Sequence, residues 1–144
     1  MGYSVRVHQR IVPALKGVAA EIDRVRRSDP RAAAFLSGIV EIDGFNYRNV
    51  AGTNTRSYHG YGLAVDLTPR SYAGKSPYWR WAMDTTDQWW AIPYERRWMV
   101  PLSIVTAFEH HGFVWGGKWL FFDTMHFEYR PEILLLAKDG SAIR

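Results

Sequence analysis

Val12, Leu15, Val18, Ala19, Ile22 and Val25 recur with a helical period, which predicts a helix from Val12 to Arg27 with Pro13 accommodated in its first turn. Asp29-Pro30 supplies a cap and a first-turn proline for a second, short helix through Leu36, closed by Ser37-Gly38. Ile39 to Asp43 alternates apolar and polar, as a half-buried strand does. Gly44 to Ser57 is rich in Gly, Asn, Thr and Arg and reads as turn and loop. Leu63, Val65 and Leu67 then share one strand parity, with Ala64 and Asp66 on the other. Pro69 to Tyr94 is aromatic and irregular, with room for short helices such as Pro77 to Met83. Pro101 to His111 is predicted as a helix stopped by Gly112, Phe113 to Trp115 as a short strand, and Gly116-Gly117 as a turn. Met125 to Tyr129 alternates again, and Pro131 to Lys138 forms a closing helix. Helices and short strands are interspersed without βαβ regularity, so the expected class is α+β, with a small antiparallel sheet and flanking helices.

At 144 residues the chain is near the size of one domain, so 1–144 is read as a single domain. Its 47% hydrophobic and 22% charged residues exclude disorder. Aromatic residues are 15% of the chain, enough for several large pocket walls. No apolar run approaches the roughly 18 residues of a membrane span. With no Cys, disulfide frameworks, thiolate zinc sites and Cys nucleophiles are all excluded. The formal net charge of +4 does not gather into a nucleic-acid stripe. Arg24, Arg26, Arg27 and Arg31 surround a helix end, where the dipole favours cations. His110-His111 is read the same way, as a capping, surface pair. Met1 to Arg6 has no signal-peptide core, and Arg6 stands where a myristoylation signal needs Ser or Thr. The chain is therefore expected to be either cytoplasmic or a domain of a longer exported precursor.

The chemistry gathers in two separated segments. Ser57-Tyr58-His59-Gly60-Tyr61-Gly62-Leu63-Ala64-Val65-Asp66 places a His and an Asp seven apart, with two Gly between. They converge if His59 ends a turn and Asp66 lies in the following strand, the glycines allowing positive φ or close backbone approach. Far along the chain, Asp123-Thr124-Met125-His126 leads into another strand. Two imidazoles and a carboxylate are a normal ligand set for a catalytic zinc with a position left for water, so His59, Asp66 and His126 are candidate ligands. Asp123 is the spare carboxylate. Residues three apart on a strand face opposite ways, so Asp123 must sit in the turn before the strand to reach the same site. Glu128 shares the face of His126 and could accept its second N–H. Met125, Phe127 and Tyr129 point toward the core. Tyr58, Tyr61, Trp115 and Trp119 are candidate groove walls.

The string Ser57-x-His59-x-x-Gly62-x-Ala64-x-Asp66 joined to Asp123-x-x-His126 resembles the zinc D-alanyl-D-alanine carboxypeptidases of the VanY type. The wider group includes D-Ala-D-Ala dipeptidases and L-alanyl-D-glutamate endopeptidases. The resemblance runs from about Val5 to Leu135 and includes Phe45-Asn46-Tyr47-Arg48, Ala51-Gly52-Thr53, Trp115-Gly116-Gly117-Lys118-Trp119 and His126-Phe127-Glu128-Tyr129-Arg130-Pro131. It implies the compact α+β fold shared with Hedgehog domains, one zinc ion held by His59, Asp66 and His126, and Asp123 as catalytic acid/base. It also implies an arginine on the substrate carbonyl or carboxylate. Arg48 fits that place, with Arg56 as its near competitor, and Ser57 joins the substrate-binding set. The implied substrate is a peptidoglycan stem peptide or related D-amino-acid peptide, cleaved by a monomer in the cell envelope or periplasm. The alternatives are an endopeptidase of the same group, a zinc-bearing cell-wall module without turnover, and a basic binding domain. Pro77 to Trp98 lies outside the core motif.

Overall fold

Helix α1 forms over Val12–Ser28, entered through a 3₁₀ turn at Gln9–Ile11 in which the His8 side chain accepts the Arg10 N–H. Asp29 ends α1 and starts α2, Pro30–Gly38, its Oδ1 accepting the Arg31 and Ala32 backbone N–H groups at 2.9 and 3.2 Å. Its other oxygen accepts the Ser103 hydroxyl at 2.6 Å, which fastens the α1–α2 corner to a later helix. The strands are β1, Ile39–Asp43; β2, Ala64–Pro69; β3, Phe113–Trp115; and β4, His126–Tyr129. The remaining helices are α3, Trp79–Met83; α4, Leu102–His110; and α5, Pro131–Lys138. These assignments come from a computed structural model that describes residues 3–138. The sheet order is β1-β2-β4-β3, antiparallel throughout, and the fold is α+β with helices flanking a small sheet.

Register decides what the sheet does. Asp66 lies opposite His126, and Ala64 opposite Glu128. Side chains alternate along a strand, so Asp66, His126 and Glu128 share one face and Val65, Leu67 and Phe127 take the other. The apolar face is the core: Phe127 and Phe113 are fully buried, and Phe108 of α4 stacks on Phe127 at 4.0 Å between ring centres. Each such buried ring contributes about 1.5–3 kcal/mol. Helices α1 and α4 cover this side, while loops carrying His59 and Asp123 roof the polar side.

The element boundaries follow the periodicity closely, and the differences have local causes. Strand β4 starts at His126 rather than Met125, because the Asp123 carbonyl closes a turn onto the His126 N–H. Strand β2 starts at Ala64 because the Leu63 N–H is taken by the Tyr58 carbonyl. His110 and His111 are more than a surface cap. Their Nδ1 and Nε2 atoms lie 2.9 and 3.1 Å from the two oxygens of Glu21, so both imidazoles tie α4 to α1. Among the described residues, no helix is long and apolar enough to cross a membrane.

Candidate active site

His59 sits in a 3₁₀ turn, Tyr58–Tyr61, between the long loop and β2. Ser57 starts this turn, its hydroxyl oxygen accepting the His59 N–H at 3.3 Å. Gly62 ends it at φ +66°, and a Cβ there would stand 2.6 Å from the His8 nitrogen. Only glycine meets both conditions without strain. The turn thus delivers a nearly fully buried His59 ring over the polar face of the sheet.

Three donor atoms converge there. His59 Nε2 lies 3.0 Å from His126 Nδ1 and 3.1 Å from Asp66 Oδ1, and His126 Nδ1 lies 2.8 Å from the same Asp66 oxygen. The outer ring nitrogens are also held. His59 Nδ1 donates to the Gly44 carbonyl at 2.6 Å, and His126 Nε2 donates to Glu128 Oε1 at 3.2 Å. A carbonyl and a carboxylate only accept, so each neutral ring turns its lone pair toward the shared centre. Two lone pairs and a carboxylate about 3 Å apart repel one another unless positive charge lies between them. Metal–ligand bonds of about 2.0–2.1 Å at tetrahedral angles put donor atoms about 3.3 Å apart, close to this spacing. His59, Asp66 and His126 therefore fit a metal ion by donor type, tautomer and separation.

Electrostatics point the same way. Burial raises the Asp66 carboxyl, but the His126 and His59 rings packed against it outweigh that and hold the group well below the usual carboxylate range. Burial disfavours a charged His126, yet Asp66 and Glu128 together raise it to about 10, so this ring takes up a proton unless a metal ion supplies the positive charge and leaves it neutral. The centre is a sink for positive charge.

Asp123 lies in the turn ahead of β4, as the parity argument required. Its Oδ1 is buried without a hydrogen-bond partner among the described residues. Burial, reinforced by the Asp66 charge, raises its carboxyl to about 6, against the opposing pull of His126 and the Met125 N–H. An orphaned carboxylate oxygen beside a cluster of ligating atoms suits proton transfer better than structure, because leaving a buried acceptor unpaired costs about 1–3 kcal/mol.

The other candidates separate. Arg56 lies 4.0 Å over the Tyr47 ring and donates to the Tyr47 hydroxyl at 2.6 Å, so its guanidinium is engaged by that ring. Arg48 is exposed, and its charge acts on the Tyr78 hydroxyl, which Asp123 also influences. Trp119 stands 5.7 Å from the His126 ring, at the edge of the centre. Tyr61 is exposed and Tyr58 half-buried, with Arg130 5.0 Å from the Tyr58 ring. Trp115 belongs to the core: it is only 5% exposed and its indole N–H donates to the Thr124 carbonyl at 2.9 Å, which removes it from the groove walls. The Ser57 hydroxyl, likewise buried, is occupied by its turn.

Sequence reasoning missed Tyr78. Tyr78 forms an isolated antiparallel bridge with Asp123, the Trp79 N–H donates to the Phe122 carbonyl, and the Thr124 N–H and hydroxyl both donate to the Pro77 carbonyl. The aromatic segment is thus zipped onto the strand lead-in that carries Asp123. Nothing in its irregular pattern marks this pairing, which exists only between distant segments.

A family model described as D-alanyl-D-alanine carboxypeptidase matches residues 51–129, more than half of the chain. The chain belongs to this family. It is accordingly a peptidase, and a peptide is its substrate. The D-alanyl-D-alanine carboxypeptidase match encloses His59, Asp66, Asp123 and His126 together with the aromatic segment. Gly44 and Arg48 fall ahead of it.

Proposed function

We propose that this protein is a zinc-dependent D-alanyl-D-alanine carboxypeptidase that removes the terminal residue of peptidoglycan stem peptides, acting as a monomer in the cell envelope or periplasm. The reading rests on one observation above all: two imidazoles with fixed tautomers and one carboxylate converge beside a buried carboxylate oxygen that has no partner among the described residues. His59, Asp66 and His126 would hold the ion. A zinc ion bound there supplies Lewis-acid chemistry, acidifying a water and polarising the scissile carbonyl.

The protein's own groups do the rest. Asp123 takes the proton of the attacking water and returns it to the leaving amine, as general base and then general acid. Its raised carboxyl favours the first half of that cycle, since a higher pKa makes its carboxylate a stronger base toward the water proton. Arg48, on the Tyr78 side of the site, offers a guanidinium for the substrate carbonyl or terminal carboxylate. The Gly44 carbonyl and Glu128 hold the imidazoles so that neither ring has to reorient during turnover.

Incubation of the zinc-loaded protein with purified stem pentapeptides, read by mass spectrometry, tests the reading. Release of a single terminal D-Ala is expected. Cleavage inside the stem would replace it with the endopeptidase alternative, and no cleavage of any stem peptide would overturn it in favour of a zinc-bearing module without turnover.

A further inference from the structure

The segment from Pro77 to Trp98 carries a continuous run of rings that starts beside Asp123 and ends in solvent. Tyr78, bridged to Asp123 through its backbone, meets Trp79 edge-on at 5.9 Å. Trp79 packs on Trp89 at 5.0 Å, and Trp89 meets Trp90 at 5.7 Å. Phe121 stacks on Trp89 at 5.2 Å and 27°, locking the middle of the run to the chain just before Asp123. On the inner side Trp81 leads through Tyr72 to Trp98, which is buried in the core. The open rings are Trp90 and Phe121, both packed on Trp89, and Trp81, whose ring also meets Tyr78 edge-on at 5.8 Å; each is more than half exposed.

Exposed apolar patches of this kind on a soluble domain mark binding surfaces. These rings are already fixed by one another, so a ligand meets a platform with little freedom left to lose. The rim decides the ligand class. Arg80 reaches to 5.9 Å from the Trp79 ring, and Asp84, Asp87 and Gln88 stand exposed in the turn between α3 and Trp89. A membrane surface would have to desolvate the two aspartates and would repel them through its anionic headgroups. A sugar ring suits the site better, with an apolar C–H face for an indole and hydroxyl and amide edges for Asp, Gln and Arg. Reach agrees too. The three ring-to-ring steps from Tyr78 to Trp90 span no more than a stem of about five extended residues, at about 3.3–3.6 Å each.

We infer that Trp81, Trp90 and Phe121 form a carbohydrate platform that holds the N-acetylated glycan strand while its attached stem peptide lies in the catalytic centre. This extends the peptidoglycan reading above and rests on it for the identity of the attached peptide. It makes the glycan-linked stem, rather than a free peptide, the preferred substrate.

The zinc-loaded protein is titrated with an N-acetylglucosamine tetramer and with glycan strands stripped of stem peptides, following tryptophan fluorescence. Saturable binding is expected, weakened about tenfold in Trp90→Ala and in Trp81→Ala, the scale of one lost aromatic contact. In parallel, kcat/KM is compared for a free stem pentapeptide and the same stem on its disaccharide. The wild type should prefer the glycan-linked form, and both variants should lose that preference. The binding arm needs no hydrolysis, so it reads the platform even if no stem peptide is cut. No saccharide binding, equal binding by wild type and both variants, or partition onto anionic vesicles in place of saccharide would each overturn the inference. Cleavage of free stems with no saccharide binding would overturn it while leaving the proposed reaction standing.

Discussion

Glu128 stands two residues beyond His126 on the same face of β4, its Oε1 3.2 Å from the ring nitrogen that points away from the centre. That contact fixes which nitrogen of His126 is left to bind. Glu128→Ala should weaken metal affinity about 10–100-fold while the fold persists, whereas Glu128→Gln, which keeps an acceptor oxygen, should lose less. Competition titration with a chromophoric chelator measures this. Equal affinity in Glu128→Ala and wild type would show that the ring needs no outer partner.

Ligand and base can be told apart by metal content. His59→Ala and His126→Ala should purify without zinc, each having lost one of three converging donors. Asp123→Asn should stay loaded and lose about 10²–10⁴-fold in turnover, the usual contribution of a general acid–base group. Elemental analysis alongside peptide hydrolysis decides between them. An Asp123→Asn protein that loses its zinc would move Asp123 into the ligand set.

The two arginines should behave differently. Arg56 is stacked on Tyr47, so Arg56→Ala should cost a little loop stability and little turnover. Arg48→Ala should reduce kcat/KM by about 10–100-fold, and Arg48→Lys should rescue poorly because an ammonium cannot form the paired hydrogen bonds of a guanidinium. Steady-state kinetics on one stem peptide ranks the three variants. A larger loss in Arg56→Ala would reverse the assignment.

Acid should loosen the α1–α4 contact through Glu21. Burial raises this carboxyl, but the hydrogen bonds and charges of His110 and His111 outweigh it and leave it below its ordinary value. A group lowered on folding binds protons more tightly in the unfolded chain, so its stabilisation is full above the ordinary Glu range and fades as pH falls through the folded value. Thermal melts of wild type and Glu21→Gln should therefore differ most near neutral pH and converge as pH falls below the ordinary Glu range. A gap that stays constant across that range would assign the contact no ionic part.

Periodicity made most elements legible because each is set by neighbours in sequence: the α1 stripe, the Asp29 cap and the β4 alternation are all local. Asp66 and His126 could be paired in advance because each carries its own strand signal. Tyr78 could not, since its link to Asp123 is a backbone bridge between segments 45 residues apart with no shared pattern. Trp115 shows the converse. Its type suits a groove, but strand β3 turns it inward, and only the fold settles which side an aromatic ring takes. Glu21 was equally invisible as the partner of His110 and His111, because helix packing chose it.

The Gly44 carbonyl that orients His59 has a consequence for cutting the chain down. Gly44 is pressed against the Arg6 carbonyl, and the next residue, Phe45, donates its N–H to that same carbonyl at 2.6 Å. The acceptor is a main-chain atom, so no side-chain substitution can supply it elsewhere. A minimal fragment trimmed to residues 51–129 would keep every candidate ligand yet leave the His59 ring free to swing, because the strap that aims it is Gly44, anchored on Arg6, and both lie ahead of the boundary. The site is therefore not a portable cassette: its ligands all fall within 51–129, but its alignment is owned by the residues ahead of that span.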